Sequence, residues 1–485
     1  MDKNLPDSAN LEHLKGQAKS LLRSLRAHEP EALVRVAGLP FQEPFRLANA
    51  QLAVAREYGF DSWSKLKKHV EGYPDRRTAF FAAIRAGDRD AVRSLLEQDR
   101  TLKDAHDPDS FGAAPIVTAA NRGDQGLIDL LLDHGVDIDG RSDWWAGSFG
   151  ALDGANEEMS AYLLKRGATL TAHAAARLGM VKELKEMIRR DPQVVHQRGG
   201  DGQFPLHFSK TPEIVDILLD AGSDIDARDI DHNSTAAMWR IQEHNVLRRL
   251  LERGATPDVY MGIVLGDLAL VKRLVEEDPD VLNHRITDRE KAPGGNIYIY
   301  TIGDLRPDQL ATHVGNDEIY RYFFEKADAK GKLLASCWRP EPEVARKIAA
   351  ENPGLVASLA LPDMRVMAHA AWLHRTESVK LMAELGFDLD VQTDQDKMSP
   401  LACAGFHGYV DIIEALLPYK PSLTIKNAYG GTPLGTCIYG SMHGWSKDGD
   451  YPRSVEFLLE AGSPPPKELY GSPEVQVVLR RFGVT

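Results

Sequence analysis

The sequence predicts an all-α fold: about twelve degenerate helix-turn-helix repeats stacked as a solenoid behind a helical N-terminal cap. Three observations predict it. One amphipathic helix recurs down the chain, as AVRSLLEQD (91–99), LIDLLLDHG (127–135), MSAYLLKRG (159–167), IVDILLDAG (214–222), VLRRLLERG (246–254), SVKLMAELG (378–386), IIEALLPYK (412–420) and SVEFLLEAG (454–462). A shorter helix rich in small residues precedes most copies, as in PIVTAANRGD (115–124), TAHAAARLGM (171–180) and PLACAGFHGY (400–409). The period is regular: Gly135 to Gly167 and Gly222 to Gly254 each span 32 residues, and Gly386 to Lys420 spans 34.

Each element has a physical reason. The glycine that ends several long helices can take the left-handed conformation that closes a helix. Small side chains on the short helix let its partner approach closely. The phrases VDIDGRS (136–142), SDIDARD (223–229) and FDLDVQTD (387–394) are tight polar turns. Four long helices lack the glycine and end at Asp99, Asp191, Asp278 and Asn352, separated by 92, 87 and 74 residues. That grouping suggests blocks of about three repeats, and the prolines beside three of these ends give sharp stops.

The N-terminus reads differently. Leu11, Leu14, Ala18, Leu21, Leu22 and Leu25 recur at helical spacing in LEHLKGQAKSLLRSLRAH (11–28). RLANAQLAVAREYGF (46–60) and SWSKLKKHV (62–70) continue the helical pattern. A stack needs an atypical end because one side has no neighbour. Residues 1–74 are therefore expected to be the helical cap. Residues 75–485 are expected to be the solenoid, with loop insertions near 141–154, 285–313 and 440–452.

The near-33-residue period and PLHF at 205–208, which fits a T-P-L-H phrase, resemble the ankyrin-repeat family over roughly residues 79–465. The segment LANAQLAVAREYGFDSWSKLKKHV is similar to one that ankyrin-repeat proteins of bacterial type carry. The resemblance implies antiparallel helix pairs with projecting loops, stacked into a curved ankyrin-repeat solenoid. It implies protein binding as the activity and a bacterial origin.

Composition narrows the function. With 71 acidic against 58 basic residues the net charge is −13, so the chain has no long-range attraction for nucleic acid or anionic lipid. Three scattered cysteines, Cys337, Cys403 and Cys437, form no disulfide framework and no CxxC zinc signal. The polar start lacks a signal-peptide core, and no apolar run reaches the ~18 residues of a membrane helix. A cytoplasmic protein that contacts neither membrane nor nucleic acid is expected. GxSxG, GxxxxGK[ST] and dinucleotide fingerprints are missing, so no cofactor or metal is expected.

Function is sought where the repeats break pattern. RSDWWAGSFGALDG (141–154) brings in Trp144, Trp145 and Phe149. RITDREKAPGGNIYIYTIGDLRPDQLATH (285–313) combines a PGGN turn with IYIYTI, which alternates as a strand would, and is expected to be an elaborated loop. SMHGWSKDGDY stretches Lys420 to Gly462 to 42 residues as an inserted loop, where Gly440, Gly444 and Gly449 are expected to supply unusual backbone angles. His173 and His207 sit near the T-P-L-H position and are expected to brace loops. His369 and His374, five apart, fall about 140° apart on a helix and cannot form an i,i+4 metal pair. Cys403 near His407 lacks a third group that would make it a thiol–base pair.

Stacking brings equivalent positions of successive repeats together, so Trp372, His374, His407, Tyr439 and His443 are expected to line one surface. Two functions fit. The first is recognition of a protein partner through the concave face and loops, with Trp144, Trp145, Trp239, Trp372 and Trp445 as anchors. The second is a cofactor-independent lyase or hydrolase acting on a small organic ligand, with His374, His407, His443 and Tyr439 as its acid/base groups. If a pocket exists, His443 and Trp445 are expected to close it against His407.

Overall fold

A computed structural model describes residues 11–37, 39, 41, 43–283, 286, 297–394, 396–444, 446 and 448–485. The protein is all-helical: among the described residues there are three isolated β-bridges and no strand. No described helix is long and apolar enough to cross a membrane. The chain divides into two compact units, residues 1–256 with 295–297, and residues 257–294 with 298–485.

The first unit opens with Leu11–Arg26, Leu47–Glu57 and Trp63–Ala86 packed on one another. Leu14, Ala18, Leu21 and Leu25 form the buried stripe that the spacing predicts, meeting Ala50, Val54 and Leu66. Position 74 lies inside Trp63–Ala86, one continuous helix. Its start carries Leu66 into this N-terminal core, and its end carries Phe80, Phe81 and Ile84 into the next one. Beyond it come short helix pairs, such as Pro115–Arg122 with Gln125–Asp133 and Ala172–Leu178 with Val181–Arg190.

The second unit is two layers. Val259–Leu265, Pro307–His313, Ala329–Trp338, Val366–Trp372, Pro400–His407 and Pro433–His443 pack each on the next. Leu268–Glu277, Asp317–Lys326, Thr376–Glu384, Val410–Leu416 and Tyr451–Glu460 lie behind them, each against its preceding inner helix. Caps set where helices begin: Thr171, Asp258, Ser399 and Thr432 accept a hydrogen bond from the amide three residues on. The polar turns join one repeat to the next. Asp139 accepts from the amide (2.8 Å) and hydroxyl (2.6 Å) of Thr169, Asp226 does the same for Thr256 (3.1 and 2.7 Å), and Asp390 accepts from the Ser422 amide (2.8 Å).

Three expectations change. IYIYTI is helical over Ile297–Thr301. Ile297 and Tyr298 are both buried, which strand alternation forbids, and Tyr298 donates to Asp258 (2.7 Å) while packing on Tyr260. The PGGN segment lies outside the described residues, and the end of the 285–313 stretch is an ordinary inner helix, Pro307–His313. The SMHGWSKDGDY insertion begins as helix: Pro433–His443 runs 11 residues, against 8 for Pro400–His407, so His443 sits on a last helical turn. Gly440, Gly444 and Gly449 do not adopt left-handed angles. Gly440 and Gly449 are required by close approach, since a Cβ would fall 2.2 Å from the carbonyl oxygen of Phe406 or of His407, respectively.

Candidate functional site

The second unit carries an aromatic strip that the period builds. Trp338, Trp372, Phe406 and Tyr439 are separated by 34, 34 and 33 residues and stand near the ends of successive inner helices. Trp338 is fully buried, Trp372 and Phe406 are half-buried, and Tyr439 is 46% exposed. Trp372 stacks on Phe406 (centroids 5.5 Å apart, planes 11° apart), Phe406 on Tyr439 (6.4 Å, 24°), and Tyr439 on His443 (4.4 Å, 30°). These are offset-stacked geometries favoured by the ring quadrupole. Gly440 makes the register possible, because it lets the Pro433–His443 backbone touch that of Phe406.

His407 closes its own helix beneath the strip, edge-on to Trp372 at 4.4 Å and stacked beside Tyr409 at 5.0 Å. It is buried, and burial with the nearby His374 pushes its pKa down to about 4. At neutral pH it is an uncharged imidazole. His374 sits in left-handed backbone (φ 56°) at a position equivalent to Gly408 (φ 69°), 34 residues on. Glycine takes this conformation freely and histidine does not, so surrounding contacts hold it. They are visible: the ring lies flat on Tyr409 (3.8 Å, 2°), and Nε2 is 3.0 Å from Asp411 Oδ1. The Thr376 hydroxyl donates to the other Asp411 oxygen. Burial raises the Asp411 pKa, but these two hydrogen bonds, the nearby His374 charge and the Ile412 amide together outweigh it and hold the carboxyl below its usual range.

Of the residues predicted from sequence, Trp372, His407, Tyr439 and His443 thus fall on one continuous set of ring contacts. His374 joins it through Tyr409. Trp445 lies outside the described residues. Phe406, Tyr409 and Asp411 were not anticipated. Phe406 was detectable as the member of the Trp338–Trp372–Tyr439 series that falls in between. Asp411, 37 residues from His374, has no such signal. Cys403 is fully buried and its thiol pKa is pushed far up, while His407 is pushed down, the reverse of an activated thiolate–imidazole pair.

Trp144 and Trp145 belong to a loop of the first unit, and Trp239 ends its short helix Ala236–Trp239. Trp144 packs edge-on to Phe111 (4.8 Å) and beside Trp145, which is 67% exposed. Trp239 packs edge-on to His232 (5.0 Å) and donates its indole N–H to Asp229. His232 is bracketed by acids: Nδ1 is 3.9 Å from Asp201 and from Asp229, and Nε2 is 3.9 Å from Asp231. Asp201, Asp231 and His232 place ligand atoms within 4.8 Å of one another, a set able to hold a cation. The two imidazole nitrogens face different carboxylates, which suits a bracketed histidine better than a metal taking one nitrogen. His173 and His207 brace loops as expected. His173 reaches the carbonyls of Gln197 and Gln203, and His207 accepts from the Phe204 amide and bonds the Ser234 carbonyl.

The fold and these sites define an all-helical protein of packed helix pairs with aromatic rings at recurring positions. No protein-family model matches the chain. Alpha-latrotoxin-Lg1a of Latrodectus geometricus is 26% identical over 133 residues, which is 27% of this chain and 8% of the toxin. Among solved structures, the predatory endopeptidase Bd0816 of Bdellovibrio bacteriovorus in complex with immunity protein Bd3460 aligns over 36% of this chain and 97% of that one. Its identity is 20% and its TM-score 0.25, too low to bear on fold or function.

Proposed function

We propose that this chain is an ankyrin-type repeat protein of the cytoplasm and that its second unit binds a protein partner. The near-33-residue period, the helix pairs and the Asp-to-Thr bonds between repeats support the first part. One observation carries the second: Trp372, Phe406, Tyr439 and His443 run ring on ring across three successive inner helices and end in solvent. Met442, 42% exposed, extends this apolar end. Aromatic anchors dominate binding energy because they bury much surface with few rotatable bonds. The test is selection of displayed peptides on the full chain. Selected peptides should bind Tyr439→Ala and Phe406→Ala at least about tenfold more weakly. Wild-type affinity in both folded variants would remove the strip from the interface.

A second reading is favoured by the Asp411–His374 pair. A carboxylate that orients an imidazole is the arrangement of an acid/base catalyst. A cofactor-independent lyase or hydrolase would use His374 as base, neutral His407 as acceptor, and Tyr439 and His443 at the rim. Turnover in a panel of small esters and hydroxy acids, lost in His374→Ala, would establish it. Turnover unchanged in that variant would end it.

A further inference from the structure

The second unit holds a cleft that neither reading uses. It has a volume of about 190 Å³ and lies between the end of Asp317–Lys326 and the start of Ala329–Trp338. Arg306 and Asp308 reach it as a buried ion pair, their side chains 5% and 8% exposed. Asp308 engages only Arg306 Nε, at 3.1 Å. The terminal Nη1 and Nη2 groups have no partner among the described residues and are not fully enclosed, so the fork opens on the cleft. Nη2 lies 3.8 Å from where a Cβ on Gly331 would stand, so the absence of that side chain leaves the guanidinium facing the first turn of Ala329–Trp338. That turn ends in amides without intrahelical partners, of which Asp328 takes the Gly331 N–H (2.7 Å). Lys326 lines the same cleft, and Phe323 and Phe324 give it an apolar wall.

A buried guanidinium whose fork has no partner among the described residues, aimed at a helix N-terminus, is built for an oxyanion. The two acids beside it set the charge. Arg306 and Lys326 offset Asp308 and Asp328, so the cleft has no surplus positive charge for a dianion, while a monoanion meets no net repulsion. The apolar wall and the volume favour a compact body. We propose that this cleft binds a small organic monocarboxylate with a flat apolar body. Its carboxylate lies on the Arg306 Nη groups and the first turn of Ala329–Trp338, and its body lies against Phe323 and Phe324.

Benzoate is the probe, with benzamide as its neutral counterpart and inorganic phosphate as the dianion-rich control. Titration of the full chain, followed by calorimetry and by aromatic NMR shifts, should show saturable benzoate binding. Benzamide and phosphate should bind at least about tenfold more weakly. Lys326→Gln, at an exposed position that does not threaten folding, should weaken benzoate about threefold. Arg306→Lys keeps the charge beside Asp308 but removes the fork and should weaken it at least about tenfold. Equal binding of benzoate and benzamide, or no benzoate binding, overturns the proposal. So does wild-type benzoate affinity in a folded Arg306→Lys protein. If Arg306→Lys fails to fold, the benzamide comparison and Lys326→Gln decide.

Discussion

Acidification should loosen the second unit through His407. Its ring is buried against Trp372 and Phe406, and its pKa in the folded protein is about 4. An unfolded histidine titrates near 6.5. A depressed folded pKa means that the unfolded chain binds protons more readily. The contribution to stability is therefore complete above about pH 6.5 and is lost as pH falls toward about 4. From about pH 7 to about pH 5 the unfolded state gains a factor of roughly 20, or about 2 kcal/mol. Residual solvent at the ring edge reduces this to about 1–2 kcal/mol. Asp411 acts in the acid range below its usual carboxylate pKa and does not contribute to this window. The perturbation is His407→Phe, which keeps a ring against Trp372 but cannot titrate. Urea unfolding at both pH values, with amide exchange of the Pro400–His407 helix as the reporter of this unit, gives the difference. The wild type should lose about 1–2 kcal/mol more than the variant. Equal losses, or an NMR titration of His407 above about pH 6, would refute the burial argument.

Three further outcomes follow from the same packing. Trp338→Ala removes a fully buried indole that Arg375 covers at 4.6 Å, and should cost about 3–5 kcal/mol in denaturant unfolding. A loss below about 1 kcal/mol would mean that the site is not packed as described. Gly440→Ala places a Cβ 2.2 Å from the Phe406 carbonyl oxygen, backbone that cannot yield cheaply. It should destabilise by about 1–3 kcal/mol and weaken the near-ultraviolet signal of the Phe406–Tyr439 stack, and an unchanged melt and spectrum would contradict the close approach. Cys337, Cys403 and Cys437 are buried with thiol pKa values raised by burial. They should resist a disulfide reagent in the folded protein and react fully in denaturant; rapid labelling of the native chain would show them accessible.

Much of the fold was legible because helical periodicity is a local property. Leu14, Ala18, Leu21 and Leu25 fall on one face by spacing alone, and that face is buried. The same holds for the long-helix ends marked by glycine: Gly135, Gly167, Gly222, Gly254, Gly386 and Gly462 all take positive φ. Alternation misled at IYIYTI, where a six-residue run gives too few periods to separate strand from helix. The glycines of the last repeat misled for a different reason. Glycine permits both unusual angles and close contact, and only the neighbouring Phe406 and His407 carbonyls show which one is used.

By itself, the sequence determined an all-helical chain of repeated pairs and placed Trp372, His407, Tyr439 and His443 at recurring positions of neighbouring helices. Residues one period apart become neighbours in any such stack. The tertiary structure alone decided the rest. Asp411 meets His374 across 37 residues and Arg306 faces the turn at Gly331, and neither pairing follows a repeat interval. Tertiary burial also sets His407 neutral and leaves Tyr439 in water, although the two residues carry equally plain sequence signals. Period fixes which residues are adjacent, whereas exposure and charge state depend on what else packs around them.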